Sequence, residues 1–143
     1  MERALELAQA AGRLGEVPVG AVVLDSSLTL VGEGSNARVG RSDPTAHAEV
    51  EALRAAGARL GSSRLVGCTL VVTLEPCAMC AGAAVAARLG RVVFGAWDGK
   101  AGACGSVWDL TRDRMSLHVV EVVPGVYADR AADQLRDFFA ARR

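Results

Sequence analysis

Cys68-Thr69-Leu70-Val71-Val72-Thr73, then the alanine-rich run Cys77 to Leu89, then Arg91-Val92-Val93-Phe94-Gly95, is the stretch that decides the fold. The first and third segments are short, apolar and rich in β-branched residues, as strands buried on both faces are. Between them lies a run of good helix formers, long enough to cross back over a sheet. A strand, a helix and a second strand in this order predict a β-α-β unit, with parallel strands and a right-handed crossover.

Upstream, Ala4, Leu5, Ala8 and Ala11 recur at helical spacing, so Met1 to Leu14 reads as an amphipathic helix ended by Gly12 and Gly15. Val17 to Leu24 and Leu28 to Val31 flank Asp25-Ser26-Ser27 and predict a β-hairpin. A polar loop from Gly34 to Pro44 leads to a helix from Ala46 to Ala56, capped at its start by Asp43 or Thr45 and closed by Gly57. Downstream, the glycine-bearing segment Trp97 to Arg114 reads as an ordered loop with a short helical piece. Leu117 to Val122 reads as a last strand and Tyr127 to Arg142 as a closing helix. The expected architecture is α/β: a five-stranded mixed central sheet between two helical layers, a three-layer α-β-α arrangement.

At 143 residues, 51% apolar and 22% charged, the chain has the length of one domain, 1–143, and is neither disordered nor membrane-spanning in composition. Its longest apolar stretch, Leu65 to Leu74, is stopped by Glu75 and Pro76, well short of a membrane helix. Sixteen basic residues balance sixteen acidic ones, which excludes nucleic-acid binding by bulk charge and leaves only a local basic face. The first residues lack a continuous apolar signal region, so a cytoplasmic location is expected. Thiols stay reduced there, and four cysteines, two of them spaced Cys-x-x-Cys, point to metal or redox chemistry.

Two motifs carry that chemistry: His47-Ala48-Glu49 at one helix start and Pro76-Cys77-Ala78-Met79-Cys80 at another. Residues three apart share a helix face, so Cys77 and Cys80 point to one side. The positive end of the helix favours the thiolates that a metal needs. Pro76 sits where a missing amide hydrogen costs little. One imidazole and two thiolates, from His47, Cys77 and Cys80, suit one Zn²⁺ per chain and leave a fourth position open, as in catalytic sites. Glu49, in the first helical turn, can reach across the metal and carry a proton from activated water to a substrate nitrogen. Three plainer readings compete. They are a thioredoxin-like dithiol, a closed structural zinc site recruiting Cys68, Cys104 or His118, and a satisfied core histidine at position 47.

His-x-Glu followed after a strand by Pro-Cys-x-x-Cys resembles the zinc-dependent cytidine, nucleoside and nucleobase deaminases. Longer strings narrow the resemblance. Glu16-Val17-Pro18-Val19-Gly20-Ala21-Val22, Gly32-Glu33-Gly34 with Asn36, Asp43 to Glu49, Thr73 to Ala83, and Arg91 to Ala96 with Asp98, Lys100 and Gly102 are similar to the tRNA-specific adenosine deaminases over nearly the whole chain. Trp97 departs from the pattern, since a basic or smaller residue is common there.

The resemblance implies a cytidine deaminase-like fold and hydrolytic conversion of adenosine to inosine at the wobble position of a tRNA anticodon, with zinc-activated hydroxide attacking C6 and Glu49 as proton shuttle. It implies that Asn36 hydrogen-bonds the purine, that the Ala48 amide orients the reacting carbon, and that Val17 and the His47 ring sandwich the base. Asp98 is implied to touch the ribose-phosphate chain, and Phe139 with Phe138 to shape an RNA-binding wall, although both phenylalanines equally suit core or dimer packing. Arg38, Arg41, Lys100 and Arg143 are the candidate phosphate contacts by the same analogy. The implied partners are a tRNA anticodon stem-loop and a second copy of the chain, the homodimer drawing support from the small-residue helix Ala81 to Ala87. Two rivals share the zinc strings: a deaminase of a free base or nucleotide, such as guanine or deoxycytidylate, and a zinc-holding RNA-binding module without catalysis. The intact Glu49 speaks against the second.

Overall fold

In the computed structural model, which describes residues 1–142, the deciding stretch forms the expected unit. Strand β3 (Thr69–Leu74), helix α4 (Ala78–Ala86) and strand β4 (Arg91–Ala96) follow one another, and β3 and β4 pair in parallel from Thr69↔Arg91 to Leu74↔Ala96. Helix α1 (Glu2–Arg13) precedes a hairpin of β1 (Gly20–Leu24) and β2 (Leu30–Ser35), and β1 joins β3 antiparallel. A short β5 (Glu121–Val123) lies parallel to β4, completing a mixed sheet of order β2-β1-β3-β4-β5. The one-turn helix α2 (Arg38–Arg41) and helix α3 (Ala48–Leu60) follow β2, and α5 (Ala128–Ala140) closes the chain.

Helices α1 and α5 cover one face of the sheet, and α3 and α4 cover the other. The core lies mainly on the second face, where Ala21, Val23, Leu70, Val72, Val92 and Phe94 meet Ala48, Ala52, Ala56, Ala81 and Ala84. Small residues on both sides bring helix and sheet backbones close together. A Cβ on Gly34 would run into the Ala48 carbonyl oxygen and the Ala52 amide nitrogen, and one on Gly20 would run into the Ala4 carbonyl oxygen. Gly34 sets how closely the start of α3 sits against β2, and Gly20 how closely α1 sits against β1.

Several boundaries differ from expectation. The second hairpin strand begins at Leu30 because Asp25 uses the residues before it for the turn. Its Oδ1 accepts from the Ser27 and Thr29 amides, and its carbonyl accepts from the Leu28 amide. Helix α3 runs past Gly57 to Leu60, and Gly61, at φ 63°, takes the left-handed closing position. Neither Asp43 nor Thr45 caps α3. Asp43 Oδ1 instead accepts from the Thr45 amide and hydroxyl, and His47 itself stands at the N-cap. The 97–114 segment forms turns and two isolated bridges rather than a helical piece. The last strand is three residues long because Leu117 and Val119 remain exposed, off the sheet.

Candidate active site

The ends of β1, β3 and β4 on the side of the α3 and α4 N-termini define the site. His47 precedes the first turn of α3 and Cys77 that of α4, while Cys80 lies one turn in. The backbone of each N-cap is extended, which aims its side chain across the gap between the two helix starts. His47 Nδ1 lies 3.7 Å from Cys77 Sγ and 3.5 Å from Cys80 Sγ. One ligand atom from each of the three residues falls within 4.8 Å of the others, the only such group of three or more among the described residues. Cys68, Cys104 and His118 stand apart from it, and His118 Nε2 is bonded to the Leu89 carbonyl. Among the described residues, the closed four-ligand site therefore has no fourth protein ligand.

The donor set fits zinc. One nitrogen and two sulfurs converge, and one sulfur is already prepared as an anion. The Cys77 thiol is driven down to about 3, chiefly by the hydrogen bond from Cys80 and then by the His47 ring, against the opposing effect of burial. Cys80, as donor in that bond, is pushed far up, and burial pushes it further. Bonding to Cys77 raises His47 as well, against the effect of burial.

A cavity of about 170 Å³ opens beside His47 and Cys77. Glu49, only 4% exposed, lines it, and burial pushes its carboxyl up to about 7. A carboxyl in that range exchanges protons readily at neutral pH. Val17, Asn36 and Asp98 line the same cavity, so four of the residues outside the metal group, Glu49 among them, are brought together. The Asn36 amide nitrogen donates to Glu16 Oε2 at 3.3 Å, which leaves its oxygen as the free acceptor. Asp98 Oδ1 accepts from the Lys100 and Ala101 amides and so stiffens its own loop. Ala48 opens α3 and its side chain is buried in the core, while its amide belongs to the first turn, where amides lack partners inside the helix.

Phe139 is not brought to this cavity. It is 50% exposed and borders a separate groove with Lys100, Arg136 and Arg142, packed edge-on against Phe138 at 5.3 Å between ring centres. Among the candidate phosphate contacts, Arg38 lines the cavity, Arg41 is paired with Glu51, and Arg143 lies outside the described residues. Trp97 meets Phe94 in a T-shaped pair, 4.9 Å between centres, and keeps half of its surface exposed.

Two site residues carry no chemical signature in the sequence. Glu16 is buried and accepts from the Asn36 side chain and, at 2.7 Å, from the Gly40 amide. Glu75 is buried and accepts from three loop amides. The available signal was an acid next to an apolar strand, since acids are rarely buried without partners.

Comparison with known proteins agrees with this geometry. Residues 1–96 match the family model of the cytidine and deoxycytidylate deaminase zinc-binding region. The tRNA-specific adenosine deaminase of Haemophilus influenzae is 49% identical over all 143 residues, which span 83% of that protein. A solved structure from a study of A-to-I editing by tRNA:A34 deaminases at the wobble position superposes with a TM-score of 0.91 at 39% identity, covering 94% of this chain and 97% of the other. A structure of guanine deaminase from Nitrosomonas europaea superposes with a TM-score of 0.85 at 26% identity, covering 97% and 82%. With the His-x-Glu and Pro-Cys-x-x-Cys residues converging at two helix starts, the chain belongs to the cytidine and deoxycytidylate deaminase family, in its tRNA-specific adenosine deaminase branch.

Proposed function

We propose that the protein converts adenosine to inosine at the wobble position of a tRNA anticodon, consuming water and releasing ammonia. The observation that carries this reading is the buried Glu49 carboxyl sharing one small cavity with His47 and Cys77, Asn36 and Val17. At about 170 Å³ the cavity is below the usual range of about 300–1,000 Å³ for drug-sized ligands and suits a single base. A wobble nucleotide, held in a loop, can be turned out into such a cavity without melting a duplex.

His47, Cys77 and Cys80 would hold zinc, which when bound supplies a Lewis acid that makes water acidic near neutral pH. Glu49 would accept one proton from the attacking water and pass it to N1 of the purine, then accept the second from the hydroxyl now on C6 and pass it to the amine, which leaves as ammonia while the C6 oxygen remains as the carbonyl of inosine. Val17 and the His47 ring hold the two faces of the base, and the free Asn36 oxygen accepts from its edge. Arg38 and Asp98, which also line the cavity, would contact the flanking ribose-phosphate chain.

The same reading assigns a homodimer. The cleft between α3 and α4, about 830 Å³ and lined by Leu53, Leu65, Ala83 and Ala87, supports it. Sedimentation of the zinc-loaded protein tests it, with a mass of twice 14.8 kDa expected.

The deciding experiment supplies three substrates separately: an anticodon stem-loop with a wobble adenosine, free adenosine, and guanine. Inosine from the stem-loop with little turnover of the others is the expected result. Xanthine from guanine at a comparable rate would instead establish the free-base reading.

A further inference from the structure

We propose that Glu75 is a positioning residue for the substrate wall: its carboxylate gathers the Asp98–Ser106 loop onto the strand exit that carries Cys77, and so governs substrate affinity rather than the chemical step. The proposal rests on the deaminase reading of the cavity above.

Glu75 lies two residues before Cys77 and is 2% exposed. No salt bridge reaches it among the described residues. Its acceptors are instead satisfied by backbone. Oε2 accepts from the Asp98 amide at 3.0 Å, and Oε1 from the Cys104 and Ser106 amides at 3.0 and 3.1 Å. These three amides come from 23 to 31 residues downstream, so the loop is folded around a carboxylate supplied by another element. A Cβ on Gly102 would strike Glu75 Oε2, which explains a glycine where loop and carboxylate touch. The loop is sewn to the same strand exit by the Ala103 amide on the Pro76 carbonyl at 2.8 Å and by the Cys77↔Gly102 bridge. Within the loop, the Ser106 hydroxyl donates to the Asp98 carbonyl at 2.8 Å.

The loop so held contributes Asp98 and Ala101 to the cavity wall. Both Glu75 oxygens are engaged by amides, so the residue shapes the wall and does not handle substrate protons. Replacing one oxygen by an amide group turns an acceptor into a donor facing N–H groups, leaving at least one buried amide unpaired. Cys77 and Cys80 keep the support of α4 and of the β3 pairing, so the metal group stays in place.

The test uses the zinc-loaded full chain and the variants Glu75→Gln and Ser106→Ala. Glu75→Gln should raise KM for the anticodon stem-loop about tenfold or more, the order expected for losing a charged hydrogen bond, with kcat and zinc content unchanged. Ser106→Ala removes only the hydroxyl clamp and should raise KM in the same direction by less. Should Glu75→Gln fail to fold, a normal KM in Ser106→Ala would overturn the proposal. Amide exchange supplies a readout independent of turnover. The Asp98, Cys104 and Ser106 amides should exchange faster in Glu75→Gln, while the Val71 and Val93 amides in the sheet keep their protection. Unchanged KM with unchanged loop exchange would overturn the proposal, as would lost zinc and lowered kcat at constant KM. If the wild type leaves the stem-loop unmodified, the deaminase reading fails, and the exchange comparison still decides whether Glu75 holds the loop.

Discussion

Replacing Glu49 by glutamine isolates the proton-carrying step. Glutamine has nearly the volume of glutamate, so the small cavity keeps its shape, and His47, Cys77 and Cys80 keep their convergence. What is lost is a group that changes its protonation state near neutral pH. Loss of one general acid-base group typically lowers rates by about 10² to 10⁴. In the proposed reaction the same carboxyl serves transfer to N1 and transfer to the leaving amine, and the other two acids lining the cavity are engaged elsewhere. Glu75 accepts through both oxygens from amides, and Asp98 holds the Lys100 and Ala101 amides. With no ready substitute, the loss falls at the upper end, about 10⁴-fold or roughly 5.5 kcal/mol of activation free energy. The assay is single-turnover inosine formation on a wobble-adenosine stem-loop, with zinc content and thermal unfolding measured on the same preparation. Exchanging a buried acid for a neutral amide should leave stability at or above wild type, so inactivity cannot be ascribed to unfolding. A zinc-loaded, folded Glu49→Gln enzyme within about tenfold of the wild-type rate would refute the shuttle, because so small a loss is below any general acid-base contribution. Loss of zinc would refute it differently, by making Glu49 a ligand.

Cys77→Ala or Cys80→Ala should abolish zinc retention as read by metal analysis, whereas Cys104→Ala should purify with zinc, since Cys104 lies outside the converging group. Gly34→Ala should lower stability by about 1–3 kcal/mol in denaturant titration, because the new methyl meets the α3 backbone at Ala48 and Ala52. The same shift at the start of α3 should lower kcat/KM by moving His47 and Glu49 together. Binding of the anticodon stem-loop should weaken steeply with salt, with a log-log slope of about one for each phosphate the protein neutralises, and Arg38→Ala should reduce that slope.

The β-α-β unit was legible because its signals are local. Leu70, Val71 and Val72 form a continuous apolar run, and the alanines after Cys77 admit only a helix of that length. The convergence of His47, Cys77 and Cys80 was legible only in part: the spacing of Cys77 and Cys80 puts both at one helix start, whereas α3 begins two residues later than Ala46 and takes His47 itself as its N-cap. The last strand was harder because only Glu121–Val123 pair, and a run of valines and leucines cannot say which of its members meet the sheet. The turns of residues 97–114 were misread in part because their partner is a single distant carboxylate. Glycine, alanine and serine at 99 to 106 are equally compatible with a loop and a helical turn until Glu75 is placed among their amides. Phe139, read either as part of an RNA wall by resemblance or as a packing residue, lies away from the cavity at a groove beside Lys100, a placement that no local pattern in the last helix signals.

The two buried acids that sequence reading left without a role explain how a chain of zero net charge builds a defined cavity from loops. Glu16 binds the Gly40 amide on one side of the cavity and fixes the Asn36 amide group so that its oxygen is the group left free. Glu75 binds three amides on the other side and fixes the wall that carries Asp98. A carboxylate taken out of water loses several kcal/mol of hydration, and only convergent hydrogen bonds offset that loss. Neither acid can therefore be buried stably unless its loop is folded around it, and the Glu75 loop is held as well by Ala103 and Cys104, which sit in the main core. Burial of the sheet and ordering of the substrate walls become one cooperative event. The cavity walls are thus tied to the rest of the fold by backbone amides that converge on Glu16 and Glu75.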